Sequence, residues 1–440
     1  MHALTLLSLL PLALAAPSRR SSPAPLIVPR GASLVADKYI VRLRPDAADG
    51  ALASAMSAFS ADADHVYNFG ASLRGFASTL NASEVDALRN DPDVDFIEQD
   101  AVMKISATET QRNAPWGLAR LSSEQPGGTT YMFDDSAGEG TCAYIIDTGI
   151  DVTHPDFEGR AEFLANYADN DDTDGQGHGT HVAGTVGSAT YGVAKKTKLF
   201  AVKVLDASGE GTNSAVMAGM DFVTADAAGR SECAAGVVVN MSLGGRASTA
   251  VNQAAAAIVS AGHFLAAAAG NEAADAGTSS PGSEESVCTV GATNRRDALA
   301  EYSNFGAAVD VLAPGSEILS TWPGGSTVSI SSSPDVFDKL EANDEKNTIS
   351  GTSMASPHVA GLAAYFLGLG GSAPKDPVEL CAYIAQTALD GVVTRVPRRT
   401  ANKLANNGIS GGGNGTAKAV DGSHLVGRQL NKKFLRSLMK

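Results

Sequence analysis

Ser353 stands in Gly-Thr-Ser-Met-Ala-Ser-Pro, residues 351–357, directly ahead of a long apolar stretch. A hydroxyl at a helix start commonly accepts from an unpaired backbone N–H and does nothing else. The same place suits a nucleophile, provided that a base and an orienting acid lie within reach. Two candidates for those roles exist. His178 lies in Asp-Gly-Gln-Gly-His-Gly-Thr-His, with a glycine on each side that leaves its ring accessible. Asp147 closes the apolar run Cys-Ala-Tyr-Ile-Ile-Asp, where a carboxylate on its own would merely hold a turn. Together the three support acyl transfer. Ser353 attacks a carbonyl, His178 takes its proton and returns it to the leaving group, and Asp147 orients the imidazole and stabilises its cation. Asn271, after Ala-Ala-Ala-Ala-Gly, can donate its amide to the developing oxyanion beside the Ser353 N–H. His178 and His181 also form a His-x-x-His pair, a competing metal reading. That pair lacks the glutamate of the His-Glu-x-x-His pattern, and no thiolate completes it. His181 faces an apolar run and reads as a packed core residue.

These side chains need a scaffold that brings them to one edge. After residue 113, short apolar runs such as CAYIIDTGI, KLFAVKVLD, GVVVNMSLGG, HFLAAAAGN, VCTVGAT and VDVLAPG alternate with helical patterns. Alternation of this kind predicts an α/β fold, a mostly parallel sheet with helices on both faces. Asp147, Ser242 and Asn271 follow the ends of such runs, at the carboxyl edge where open parallel sheets bind ligands. Ahead of this lies a small α+β region at about 38–104, whose β-α-β-β-α-β order predicts a ferredoxin-like domain. Its second helix starts at "NASEVDALRNDPDV", with Asn81 or Ser83 as the cap. The periodicity lapses at 105–113, a natural boundary and a natural place for proteolysis.

The chain has 440 residues, is 44% hydrophobic and 18% charged, and carries a net charge of −15. It is globular, and its acidity argues against a nucleic-acid partner, which calls for a basic face. Residues 1–16 hold a short apolar run ending in Ala-Leu-Ala-Ala, the pattern of a removed signal peptide. No later stretch is apolar enough for a membrane span, so no membrane partner is expected. Secretion would place Cys142, Cys233, Cys288 and Cys381 in an oxidising compartment. An even set without metal spacing reads as structural disulfides, with three pairings open.

The motifs YIIDTGI, GHGTHVAG and GTSMASPHVAG, in this order, resemble those of the subtilisin-like serine peptidases. DDSAGEGTC, TYGVAKKTKLFAVKVLD and ILSTWPGGST resemble the proteinase K-like subfamily of secreted fungal enzymes in particular. The resemblance implies a secreted, broad-specificity serine endopeptidase working through an acyl-enzyme and made as a self-processed zymogen. It divides the chain into a signal peptide (1–16), an inhibitory propeptide (17–108), a peptidase domain (109–393) and a flexible tail (394–440). Protein and peptide substrates and its own propeptide would be its partners, and the enzyme would be a monomer. The implied disulfides are Cys142–Cys233 and Cys288–Cys381. Calcium would be a structural cofactor, held by the Asp310 side chain and the carbonyls of Glu285 and Val287. Substrate would lie between Gly209–Gly211 and the segment Ser242, Leu243, Gly244, with Ala268, Ala269 and Gly270 walling a primary pocket for apolar or aromatic side chains. Asn213 stands where these relatives have a tyrosine lining the S4 pocket, so a preference for an aromatic or aliphatic side chain at P4 should be blunter.

One stretch departs from that pattern. Residues 332–350 are extra, and they are bracketed by a near-repeat, Ser329-Ile330-Ser331 and Thr348-Ile349-Ser350. A loop entering directly at a nucleophile would disturb it, since a misplacement of about 1 Å can cost ~10²-fold in rate. The segment therefore reads as an intron retained in the translated sequence, and, if present, as an exposed loop without a packed core.

Overall fold

The structure is a computed structural model, and it describes residues 22–29, 34–57, 63–68, 73–101, 108–324, 346–370 and 373–409. It divides into two compact units, residues 1–104 and 105–440. The first unit holds β1 (Leu26–Ile27), β2 (Leu34–Leu43), α1 (Ala51–Met56), β3 (His65–Asn68), β4 (Arg74–Thr79), α2 (Ala82–Arg89) and β5 (Val94–Ala101). Its sheet runs β1-β5-β2-β4-β3. The last four strands and two helices give the expected ferredoxin-like order, and Asn81 caps α2 in a reciprocal capping box with Glu84.

The amino-terminal boundary needs correction. Residues 17–37, rich in Pro, Ser and Arg, have the composition of a linker, but β1 pairs in parallel with β5 and Ala24 is fully buried. Two residues of pairing and one small buried side chain leave too faint a periodicity to detect.

The second unit holds β6 (Thr108–Arg112), α3 (Trp116–Leu121), β7 (Thr130–Asp134), β8 (Thr141–Asp147), β9 (Ala161–Asn166), α4 (His178–Gly187), β10 (Lys198–Lys203), α5 (Asn213–Ala227) and β11 (Gly236–Met241). It continues with β12 (Gly245–Arg246), α6 (Thr249–Ser260), β13 (Phe264–Ala268), β14 (Ser279–Ser280), β15 (Cys288–Thr293), β16 (Val311–Pro314), β17 (Ile318–Thr321) and β18 (Lys346–Ile349). It closes with α7 (Thr352–Leu369), α8 (Pro377–Thr387), β19 (Leu389–Asp390) and β20 (Lys403–Leu404). The main sheet has nine strands in the order β19-β20-β16-β15-β13-β11-β8-β10-β9. Every neighbouring pair is parallel except β19–β20.

The continuous apolar runs follow from burial on both faces. Along β8, Ala143 and Ile145 join the core formed with α4 and α7, while Cys142, Tyr144 and Ile146 join the core formed with α5 and α6. Side chains alternate in direction along a strand, and here both directions are dry. α7 is buried almost throughout from Met354 to Leu367, so it is apolar all round rather than striped. α4 approaches β17 closely at Gly184, where an added Cβ would stand 2.1 Å from the Thr321 hydroxyl. Among the described residues no helix is long and apolar enough to cross a membrane.

Cys142 is bonded to Cys233 and Cys288 to Cys381, with sequence separations of 91 and 93. Loops of that size give about 4–5 kcal/mol per bridge in the chain-entropy account, as an upper figure.

Two further expectations are corrected. Residues 346–350 are not an exposed loop: β18 pairs antiparallel with β17, Ile349 is 5% exposed, and the Ser350 hydroxyl accepts from Glu317 N at 2.8 Å. Residues 332–345 lie outside the described residues. The tail read as flexible from 394 is ordered to 409. β20 pairs with β16, Leu404 and Ala405 are fully buried, and the Asn407 amide donates to the Met132 carbonyl at 2.7 Å. Asparagines there satisfy buried carbonyls, a role that composition alone reads as loop. Residues 410–440 lie outside the described residues.

Candidate active site

β8 is the third strand from one edge of the sheet, where the strand order reverses between β10 and β11, and Asp147 is its last residue. Crevices form at such switch points because the connections leave in opposite directions. Asp147 is fully buried. Its Oδ1 accepts from Thr148 N at 2.8 Å and lies 2.8 Å from His178 Nδ1. His178 opens α4 behind Gly177, whose φ of 98° is one that a side chain would resist. The imidazole is 21% exposed, so one nitrogen faces the buried acid and the ring edge faces solvent. Burial works to lower its pKa. The charge and hydrogen bond of Asp147, with the charge of Asp174 behind them, outweigh this and leave it above the ordinary imidazole value.

Asp174 is a participant that sequence reasoning missed. It is 4% exposed, and both of its oxygens are used. Oδ1 accepts from the Thr148 hydroxyl at 2.7 Å, Gly177 N at 2.8 Å and Gln176 N at 3.3 Å. Oδ2 accepts from the N–H and hydroxyl of Thr180 at 2.8 and 2.6 Å. The Thr148 hydroxyl in turn accepts from Gly179 N at 2.9 Å. Asp174 therefore ties the end of β8 to the first turn of α4 and fixes the Asp147–His178 pair from behind. In the sequence it is an aspartate before a glycine, indistinguishable from a turn former. The fully buried Lys203 adds a second tie, donating to the Thr148 carbonyl at 2.9 Å.

His181, one turn later on α4, is the core residue its setting predicted. Its Nε2 lies 2.9 Å from the Ile318 carbonyl and 3.2 Å from that of Asn347, and burial pushes its pKa down to about 3. It binds the β17–β18 ladder.

Ser353 is the second residue of α7, so its N–H lies in the first turn, where no intrahelical acceptor exists. Its hydroxyl donates to the Ser242 carbonyl at 3.0 Å, and the Ser242 hydroxyl donates to the Ser353 carbonyl at 2.6 Å. Asn271 follows β13. Its Oδ1 accepts from the N–H and hydroxyl of Thr352 at 2.8 and 2.9 Å. With the oxygen so engaged, the Asn271 amide hydrogens are left for another acceptor. Gly270 N donates to the same Thr352 hydroxyl at 3.1 Å, which holds the turn after β13 against the start of α7.

His178, Gly209, Gly211, Ser242, Leu243 and Gly244 line one open cavity of about 540 Å³. Ala268, Ala269 and Gly270 sit apart from that lining, at and just beyond the end of β13, with Ala269 fully buried. Asp310 Oδ2 accepts from Thr289 N at 3.0 Å, which sets the carboxylate beside the 284–287 turn that carries the Glu285 and Val287 carbonyls. Among the described residues, one group of His, Cys, Asp or Glu side chains is close enough to suggest a metal: Cys288, Asp310 and Cys381. Its sulfurs form a disulfide, which leaves oxygen as the donor chemistry there.

Comparison with known proteins agrees with this geometry. Residues 138–414 match the Subtilase family, and residues 38–106 match Peptidase inhibitor I9. A cuticle-degrading protease of Metarhizium anisopliae is 51% identical over 93% of this chain and 100% of its own length. Proteinase T of Parengyodontium album is 64% identical over 71% of this chain and 99% of its own. The crystal structure of a cold adapted subtilisin-like serine proteinase superposes with a TM-score of 0.58 at 38% identity, covering 67% of this chain and 98% of that one. The chain belongs to the subtilase family: it is a subtilisin-like serine endopeptidase of the proteinase K type, with an inhibitor-type propeptide ahead of the peptidase domain.

Proposed function

We propose that Asp147, His178 and Ser353 are the catalytic triad of a secreted enzyme of broad specificity. The observation that carries this reading is the 2.8 Å contact between His178 Nδ1 and a carboxylate buried at the sheet's carboxyl edge. That contact leaves Nε2 as the nitrogen that can take a proton from Ser353. The serine hydroxyl leaves the Ser242 carbonyl by rotating about χ1, an adjustment common between free and substrate-bound enzymes. Its oxygen then attacks the peptide carbonyl. The Asn271 amide and the Ser353 N–H receive the oxyanion, in a cleft that costs no reorganisation at that moment. His178 returns the proton to the leaving amine, and water repeats the sequence on the acyl-enzyme.

Peptide would bind as an added strand between Gly209–Gly211 and Ser242–Gly244, through backbone bonds that make few demands on sequence. The small walls Ala268, Ala269 and Gly270 favour an apolar or aromatic residue at P1. The leader 1–16, which lies outside the described residues, would direct secretion. The propeptide would be released by self-cleavage near Thr108, which leaves the peptidase domain as the working enzyme. Calcium suits the oxygen set of Asp310, Glu285 and Val287. Bound there, it would clamp the 284–287 turn to the start of β16 and supply stability rather than chemistry.

The extra residues 332–350 are proposed to be absent from the mature protein. With them removed, Ile330 and Ser331 take the places of Ile349 and Ser350. The buried isoleucine and the hydroxyl that receives Glu317 N are then both preserved. Tryptic peptides of the natural secreted protein decide this: finding LEANDEK, residues 340–346, overturns it.

A phosphonylating serine reagent tests the main reading. It should label Ser353 stoichiometrically and abolish casein digestion. Labelling elsewhere, or casein digestion that survives complete labelling, would overturn it.

A further inference from the structure

The cavity beside His178 continues away from the nucleophile, and two charged residues stand on its opposite walls. Glu210 lies between the two glycines of one wall. Arg246 extends the other wall two residues beyond Gly244. Both side chains are exposed, and neither has a hydrogen bond or ion pair among the described residues. Both backbones are held. Arg246 pairs with Ser279 across β12–β14, and Ala247 N donates to the Thr278 carbonyl at 3.0 Å. The Glu210 N–H donates to Asp206 Oδ1 at 3.1 Å, and its carbonyl accepts from Asp206 N at 2.9 Å. These are rigid anchors that present charge to the cleft, unlike loop charges free to swing into solvent. Within a chain of net charge −15, a lone guanidinium on a cleft wall is a local reversal of sign that an approaching anionic group would sense.

Position along the cleft is bounded by the reach of the chain. Ser242 exchanges hydrogen bonds with Ser353 and so marks the scissile end. Arg246 is four residues further on, at most about 14 Å at roughly 3.3–3.6 Å per residue of extended chain. An extended peptide paired along this wall brings the side chain about four residues from the scissile bond, P4, to the guanidinium.

We propose that Arg246 and Glu210 make the far end of the cleft a charge-reading subsite, with Arg246 favouring an aspartate or glutamate at P4 of the peptide. Glu210 supplies the opposite preference on the facing wall, for a lysine or arginine at a neighbouring position. This deepens the peptidase reading above and rests on it. The otherwise tolerant, backbone-driven cleft would then choose among protein substrates by a dipolar pattern of charge upstream of an apolar P1.

The test uses the mature enzyme and fluorogenic peptides that share one apolar P1 and differ only in carrying Asp, Gln or Lys at each of P3, P4 and P5. Exposed pairs of this kind give small effects, so kcat/KM should favour Asp over Lys at P4 by about threefold at low salt and converge at high salt. Arg246→Gln should abolish that preference and Arg246→Glu should invert it. Glu210→Gln should leave it intact while erasing a preference for Lys at a neighbouring position. Equal kcat/KM for Asp and Lys at P4 in the unmodified enzyme, or a preference that survives Arg246→Gln, overturns the subsite. The Gln-containing peptide separates the two readings: if it is not cleaved at all, the peptidase reading itself fails. Titration with the serine reagent confirms that each variant is folded and loaded equally.

Discussion

The two corners of the active site are built differently. At the corner of β8 and α4, Asp147 is fully buried, Asp174 receives five hydrogen bonds, and Lys203 donates to the Thr148 carbonyl. At the corner of β13 and α7, Asn271 is exposed, and the Ser353 hydroxyl rests on a carbonyl from which it must part to react. The difference reflects the tasks. A base keeps its tautomer and direction only if its acid cannot move, and such groups are held by burial and redundancy. An oxyanion site must admit a carbonyl carbon and its oxygen, so it stays open and is fixed from one side only, here by Thr352.

The contrast can be broken most severely at the atoms proposed to react. Ser353→Ala or His178→Ala should lower kcat on the order of 10⁶-fold, the loss known for subtilisin itself. Ser353→Ala should also leave an uncut precursor with unaltered circular dichroism when produced in a protease-deficient host. Trimming near Thr108 in that host would remove self-processing from the account. At the open corner, Asn271→Leu should cost about 10²–10³ in kcat with KM nearly unchanged, because the oxyanion exists only after attack. A raised KM with normal kcat would assign Asn271 to ground-state binding.

The closed corner yields a smaller loss with a distinctive signature. Asp174→Asn places an N–H₂ against groups that are all donors. Stability should fall by about 1–3 kcal/mol, and kcat by roughly tenfold through loosened geometry. The Asp174 charge also helps to raise the His178 pKa. Removing it lowers that pKa, so the neutral imidazole persists to lower pH. The acid limb of the kcat/KM profile should therefore move to lower pH, a shift that a purely structural role for Asp174 would not produce. The smallest effect on chemistry belongs to the proposed calcium site. Chelation or Asp310→Asn should lower the melting temperature by several degrees and leave kcat of the folded enzyme unchanged. Identical melting with calcium and with chelator would remove the ion from this site.

His181 supplies a stability test of the same closed corner. Its folded pKa of about 3 lies below the ordinary value of 6.5, so the unfolded chain binds the proton more readily. Stability contributed there is present above about pH 6.5 and is lost progressively as the pH falls toward about 3. His181→Gln should flatten the dependence of unfolding free energy on pH across that window.

The sequence determined six of the nine strands of the main sheet, β8, β10, β11, β13, β15 and β16, together with the order of the three motifs and the edge on which they gather. Strands buried on both faces must be continuously apolar, and polar residues at their ends must then lie together. It also identified His181 as core, because an apolar neighbourhood excludes an imidazolium. Tertiary structure alone decided what converges from distant parts of the chain. Asp174 looked like a turn residue until five donors met its oxygens. The Asn-rich residues 403–409 looked like a loose tail until buried carbonyls gave them partners. Residues 346–350 looked like part of an exposed loop until β18 paired with β17 under His181. Glu210 and Arg246 are 36 positions apart in the sequence, and only the fold brings both to the lining of one cavity. Local patterns record whether a segment is buried. They do not record which partners reach it, because those contacts are made across the fold, between residues with no fixed separation in sequence.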